Sequence, residues 1–264
     1  MKIIAEIGWN HLGDMNLAKE MIVAASESGA DFCKFQTWSV KNLKNGPWDN
    51  DGRKELYDKA ELKYDDHIML KEFCEKNNIK FLTSIFNIKD IDFLKDLLDG
   101  TIKIGSPEVY NYELIKSCTE NFETVLLSTG AAKWEEINKI KELPLLKKIV
   151  LMHCVSSYPC KAENINMPRM QELKKIVKIV GYSGHFAGID DALIAIVNEA
   201  QYIEKHFTLD RNLPGKDNKL SIEPLELKKI SEFRSMYQKM SKFKGLDIQD
   251  CEKDTLLTRG RWSK

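Results

Sequence analysis

The sequence lacks an excess of charge of either sign. Lys and Arg number 40, Asp and Glu number 40, and the formal net charge is zero. No general electrostatic pull on nucleic acid or on a membrane is expected. A local basic pocket for a small anion stays compatible with that balance. No apolar run is long enough to cross a bilayer. No export signal is visible either: Met1-Lys2 leads directly into Ile3-Ile4-Ala5-Glu6, and the charge at position 6 ends the run. The six cysteines form no C-x-x-C pair and no framework spacing. A reduced, cytoplasmic chain is expected, with all six as buried free thiols. Low-complexity segments and internal domain boundaries are also missing.

Apolar residues make up 43% of 264 residues, enough for one barrel interior and a helix-facing shell. Eight short β-type runs are read at 2–7, 31–36, 79–84, 101–105, 124–128, 148–154, 178–183 and 201–206. Helical spacing follows each, near 14–28, 65–77, 88–98, 111–121, 133–142, 167–176, 189–199 and 223–240. Parallel neighbours need a crossover helix, so this alternation predicts an α/β fold, a single (β/α)8 TIM barrel over 1–240. Residues 241–264 read as a polar tail or truncated linker. The polar stretch 39–61, with Gly46-Pro47, Trp48 and Gly52, is longer than an ordinary connection and reads as a functional segment, a candidate lid.

The β-type runs end on chemistry: Glu6, Lys34, Ser84, Lys103 to Glu108, Ser128, Ser156 to Tyr158, Ser183 to His185, and His206. In a parallel barrel these ends share one rim, where active sites sit. Lysine is seldom buried unpaired. Lys34 and Lys103 therefore read either as structural ion pairs, for instance Lys34 with Glu6, or as an anion site. Ser84, Ser106, Ser128 and Ser183 beside them favour the anion site, a phosphate or carboxylate pocket. His185 and His206 follow neighbouring strands and could share one divalent ion, of a six-coordinate kind such as Mn²⁺. Glu6, Glu108 and Asp217 are rim carboxylates able to orient hydroxyls or move a proton. Asp217, beside Leu213-Pro214-Gly215, reads equally as part of a turn, and Tyr158-Pro159 as a loop anchor. His153 is read as barrel filling and His67 as a surface residue; His11 is left open.

The stretches AEIGWNHLGD (5–14), GADFCKFQTW (29–38), FLTSIF (81–86), KIGSPE (103–108), LLSTGAA (126–132), HCVSSYP (153–159), GYSGH (181–185) and EKHFTLDRNLPGKDNKLSIEP (204–224) carry a resemblance. The chain resembles the sialic acid (N-acetylneuraminate) synthases and their relatives that make legionaminic and pseudaminic acids. That resemblance implies condensation of phosphoenolpyruvate with an open-chain N-acyl hexosamine, N-acetylmannosamine-like, giving a nonulosonic acid and phosphate. It implies a phosphoenolpyruvate site of Lys34, Ser84, Lys103, Ser106, Ser128 and Ser183. His185 and His206 would hold Mn²⁺, with Mg²⁺ or Co²⁺ as alternatives. Glu6, Tyr158 and Asp217 would contact the acceptor sugar, Ser156 would belong to the substrate site, and Glu108 would help proton movement or water attack. A homodimer is expected from the resemblance as well.

The chain departs from the family pattern in four places. It ends at LLTRGRWSK, where the resemblance would place the start of a linker to a small C-terminal antifreeze-like (SAF) domain. That domain contributes an arginine to the acyl group, so either a separate SAF-domain protein or the 39–61 lid is expected to replace it. Gly184 stands where aspartate is usual, so a carboxylate beside the metal is expected to be missing. Pro107 replaces a glycine and removes a backbone donor. Thr83-Ser84-Ile85-Phe86 replaces Ser-Thr-Pro-Phe but keeps a hydroxyl at position 84. Two other functions compete: a Schiff-base aldolase on Lys34 or Lys103, and a non-catalytic sugar-binding relative.

Overall fold

The computed structural model describes residues 1–46, 50 and 52–262; Pro47 and Trp48 of the proposed lid lie outside the described residues. Among the described residues the strands are β1 (Lys2–Glu6), β2 (Phe32–Thr37), β3 (Lys80–Ile85), β4 (Thr101–Ile104), β5 (Thr124–Ser128), β6 (Ile149–Cys154), β7 (Ile179–Gly184) and β8 (Tyr202–His206). Each pairs in parallel with its sequence neighbours, and β1 pairs with β8, so the sheet closes into a TIM barrel. The helices are α1 (Met15–Glu27), α2 (Arg53–Ala60), α3 (Tyr64–Lys76), α4 (Ile91–Leu97), α5 (Tyr112–Asn121), α6 (Trp134–Lys139), α7 (Arg169–Leu173), α8 (Asp190–Val197), α9 (Pro224–Met240) and the short α10 (Lys253–Leu256). Residues 241–262 are exposed throughout.

The period-2 rule of the strand sorts the chain into two cores. Ile4, Phe32, Leu82, Leu126, Val150 and Met152 fill the barrel interior. Their strand neighbours, such as Ile3, Ala5, Cys33, Phe35, Leu127 and Leu151, face outward and pack under the helices. Local chemistry sets the helix ends. Asp14 caps α1 by accepting from the amides of Asn16 and Leu17. The turn that ends α1 passes through Gly29 at φ +86°, where an added Cβ would lie 2.4 Å from the Ser231 hydroxyl on α9. Ala18, Met21, Ile22 and Ala25 form the buried stripe of α1.

Several expectations need correction. The 39–61 stretch is not wholly irregular, because it contains α2. His67 is fully buried rather than on the surface. Its Nδ1 donates to the Lys63 carbonyl at 2.8 Å, and its Nε2 lies 2.8 Å from the Thr37 hydroxyl. His153 is buried, but on the outward face of β6, donating to the Ile165 carbonyl at 2.7 Å. It does not fill the barrel, because Met152 and Cys154 take the inward positions. Five cysteines are buried free thiols, whereas Cys251 is exposed on the C-terminal segment.

His11 is fully buried, and its Nδ1 accepts the Gly13 amide at 3.1 Å. Burial pushes this imidazole down to about 4. Between that value and the unfolded value near 6.5 the native state binds fewer protons than the unfolded one, so stability rises with pH there. The contribution is whole above about 6.5 and is lost as pH falls toward 4, a loss of up to ~3 kcal/mol. Urea unfolding at pH 7.5 and 4.5 should show this acid weakening, and His11→Asn should shrink it. An equal pH dependence in the variant would contradict the assignment.

Candidate active site

The C-terminal ends of the strands open into a cavity of about 330 Å³. Directly above the apolar plug the inward positions turn polar, and strand register stacks them: Glu6 beside Lys34 and His206, Ser84 beside Lys103, Ser183 beside Glu204. Lys34 and Lys103 are 3% and 2% exposed, so their charges are answered inside the protein. Lys34 Nζ donates to Ser84 Oγ at 2.8 Å, and it lies 3.0 Å from Glu6 Oε2 and 3.5 Å from Glu204 Oε2. Lys103 Nζ donates to Ser128 Oγ at 2.7 Å and to the Ile104 carbonyl at 3.1 Å. Gln36 donates to Glu6 Oε1 at 2.7 Å, and Ser183 to Glu204 Oε1 at 3.0 Å.

These neighbours divide the charge. Burial pushes Glu6 up to about 7 against the pull of Lys34. Burial acts the same way on Glu204, but Lys103 and Lys34 outweigh it and hold that carboxyl below its ordinary range. Burial opposes the Lys34 charge, yet Glu204 and Glu6 lift it overall. Lys103 is lowered, chiefly by burial. The two buried lysines therefore face one carboxyl held toward its ionised form, Glu204, and one raised toward neutrality, Glu6. With Glu6 raised toward neutrality, the lysines lose part of their internal counter-charge, which suits an incoming anion.

Above this floor the rings of His185 and His206 face each other with centroids 5.4 Å apart. His185 Nδ1 donates to the Val155 carbonyl at 2.8 Å, and against burial Cys154, with Sγ 3.8 Å from that nitrogen, raises the ring's pKa; in its neutral form the lone pair lies on Nε2. His206 is held neutral by burial and by its cationic neighbours, the nearest in effect being His185. Its Nδ1 is a buried atom with no hydrogen-bond partner among the described residues, 3.6 Å from Asp217 Oδ2. Asp217 is raised by burial and accepts the indole N–H of Trp9. The Tyr158 ring lies against His185, with centroids 4.1 Å apart and the planes tilted by 41°. At the mouth, α2 places Arg53 and Tyr57 on the lining, with the Tyr57 ring 4.9 Å from Trp9.

Among the described residues no group of three or more His, Cys, Asp or Glu side chains is arranged to hold a metal. The two imidazoles, His206 with Nδ1 orphaned and His185 offering Nε2 once it has given up its proton, still fit an ion that takes its remaining ligands from substrate and water. The fit rests on donor chemistry, not on a closed cage.

Eleven of the expected site residues line the cavity: Glu6, Lys34, Ser84, Lys103, Ser106, Ser128, Tyr158, Ser183, His185, His206 and Asp217. Two do not. Glu108 sits in the short turn Ser106–Glu108, and its carboxylate accepts from Asn111 Nδ2 at 2.8 Å instead of facing the cavity. Ser156 is an exposed loop residue beside Gly130. Glu204, Gln36, Trp9 and Cys154 were not singled out and do line the cavity. Glu204 lies two residues before His206, and Gln36 two after Lys34. Strand alternation alone could have found both. The carboxylate expected to be missing at Gly184 has a counterpart, since an added Cβ there would lie 2.2 Å from Asp191 Oδ2.

Comparison with known proteins agrees with this geometry. The model of the NeuB family matches residues 21–244. The chain is 39% identical to the N,N'-diacetyllegionaminic acid synthase of Campylobacter jejuni, covering 86% of this chain and 73% of that one. It is 32% identical to the pseudaminic acid synthase of the same species, covering 89% and 71%. The crystal structure of the N-acetylneuraminic acid synthetase from Leptospira borgpetersenii, in complex with citrate, superimposes with a TM-score of 0.86 at 34% identity, covering 99% of this chain and 92% of that one. A truncated 3-deoxy-D-arabino-heptulosonate 7-phosphate synthase of Thermotoga maritima, at 16% identity and a TM-score of 0.68, shares the barrel fold. By the extent of these matches and the barrel they share, the chain belongs to the NeuB family, whose relatives here are nonulosonic acid synthases.

Proposed function

We propose that this cavity condenses phosphoenolpyruvate with the open-chain aldehyde of an N-acyl hexosamine, releasing phosphate and a nonulosonic acid. The observation that carries this reading is the pair of buried lysines, each donating to a serine hydroxyl at 2.8 and 2.7 Å, beneath two facing imidazoles. A small dianion answers such a floor. Lys34 and Lys103 hold the donor's carboxylate and phosphate, and Ser84, Ser128 and Ser106 fix its face.

No side-chain nucleophile is needed, because C3 of the enol phosphate attacks the aldehyde carbon. That bond leaves an oxocarbenium-like centre at C2. Water adds there, and the C2–O bond to phosphate breaks. The ammonium groups stabilise the phosphate as it leaves. Glu6, which titrates near 7, holds or moves a proton at the cavity floor and replaces Glu108 in that part. His185 and His206 would hold a divalent ion, with Mn²⁺ expected ahead of Mg²⁺ or Co²⁺; when bound it supplies Lewis acidity to the aldehyde oxygen. Trp9, Tyr57, Tyr158 and Asp217 form the acceptor side of the mouth.

A Schiff-base aldolase on Lys103 is the second reading, favoured by the burial that lowers that amine. The deciding experiment follows phosphate release from phosphoenolpyruvate across a panel of N-acyl hexosamines, with Mn²⁺ and with chelator. Release that needs both an acceptor and the ion supports the condensation. A covalent adduct trapped by borohydride, with no phosphate release, supports the aldolase instead.

A further inference from the structure

Behind the cavity wall, on the outward face of β7 and β8, lies a buried ion pair that the reaction above does not use. Lys205 is 2% exposed and Asp191 1%. Lys205 Nζ donates to the two carboxylate oxygens of Asp191 at 3.0 and 2.9 Å, and to the Phe186 carbonyl at 2.7 Å. All three ammonium protons are thereby satisfied. The Tyr182 hydroxyl donates to Asp191 Oδ2 at 3.0 Å. One cluster thus ties together β7, the segment that follows it, β8 and the first turn of α8.

The fold alone does not call for charges here, because a well-packed apolar pair of similar size serves stability as well as a buried ion pair or better. What the charges add is direction. Phe186, whose carbonyl is gripped, follows His185, and Lys205 precedes His206. Gly184 and Lys205 are register partners across the β7–β8 pair. Gly184 is a consequence of the same cluster, since a Cβ there would lie 2.2 Å from Asp191 Oδ2 and 2.5 Å from Tyr182 Cε1. The backbone just after His185 and just before His206 is therefore anchored to a single hydrogen-bonded point.

We propose that Asp191 and Lys205 are positioning residues that hold the imidazoles of His185 and His206 in their facing arrangement. The metal-binding arm of the test rests on reading those imidazoles as the ion's ligands; the ring-signal arm does not.

Asp191→Ala alone strands a buried ammonium and threatens the fold, so the main variant removes both charges, Asp191→Leu with Lys205→Met. In the metal-free protein, the ring NMR signals of His185 and His206 are expected to shift, while those of His11 and His67 stay. The Kd for Mn²⁺, measured by calorimetry, is expected to rise by about 10–100-fold. A second, milder variant, Asp191→Asn with Lys205→Met, keeps the shape of both side chains while removing the charges and the grip on the Phe186 carbonyl, and is expected to shift the same two ring signals by less. A folded Asp191→Leu/Lys205→Met protein with unmoved His185 and His206 signals overturns the proposal. If that variant does not fold, unmoved signals in a folded Asp191→Asn/Lys205→Met protein overturn it instead. A wild-type protein that takes up no Mn²⁺ refutes the metal reading, and the positioning role is then judged on the ring signals alone.

Discussion

Lys34→Met is expected to abolish phosphate release and to destabilise the barrel at the same time. The side chain is the shared partner of Glu6 and Glu204, at 3.0 and 3.5 Å, and both carboxylates are buried. Removing one member of a buried ionic set leaves the others uncompensated and costs about 3–5 kcal/mol. The stranded carboxyls can escape that cost only by taking up protons. Their folded values then rise above their unfolded ones, so the deficit is smallest at low pH and grows as pH climbs through neutrality. Urea unfolding at pH 5 and pH 8 reads this sign directly. Adding Glu6→Gln is expected to recover part of the stability and none of the turnover. A single variant with wild-type stability at pH 8, or with phosphate release within tenfold of wild type, contradicts the role given to Lys34.

His206→Ala is expected to separate chemistry from stability. The ring is buried, neutral and carries an orphaned Nδ1, so its removal relieves one unsatisfied atom while opening a small void. The thermal midpoint should move little. Turnover should fall by about three decades or more, because in the proposed reaction the imidazole pair would hold an ion whose Lewis acidity is worth several kcal/mol in the transition state. Binding of an ion to the native state alone also stabilises it, by ~2.7 kcal/mol at a hundredfold excess over Kd. Added Mn²⁺ should raise the wild-type midpoint and leave that of His206→Ala unchanged. Equal stabilisation of both proteins would remove His206 from the ion's ligand set.

Much of this arrangement can be read along the chain, for a physical reason. A parallel strand buried on both faces is a short apolar run, and a polar residue at its end faces either the cavity or the helices. Lys34, Ser84, Lys103, Ser128, Ser183 and His206 betray themselves that way. Glu204 hides in mid-strand, where the eye for strand ends passes over it, although period two places it with His206. Glu108 stands on a short turn and Ser156 in a loop, where sequence spacing carries no direction, so the strand rule does not place them. In α2 only Ala60 is buried, so that helix offers no apolar stripe to recognise. His67 shares its face of α3 with Leu70 and Cys74, three and seven residues on, and that stripe marks it as interior. Asp191 is beyond reach of any local rule, because it meets Lys205 only after two strands and a helix have packed.

The barrel closes by laying β1 against β8, and Glu6 then stands between Lys34 on one side and His206 on the other. The cavity floor is consequently built across the seam between the first and last strands. A nascent chain carries both lysines long before it carries His206, yet nothing resembling a working floor can exist until the eighth strand emerges and docks. Competence should arrive in one late step during synthesis. Truncations short of β8 are expected to be inert, however much helix they form.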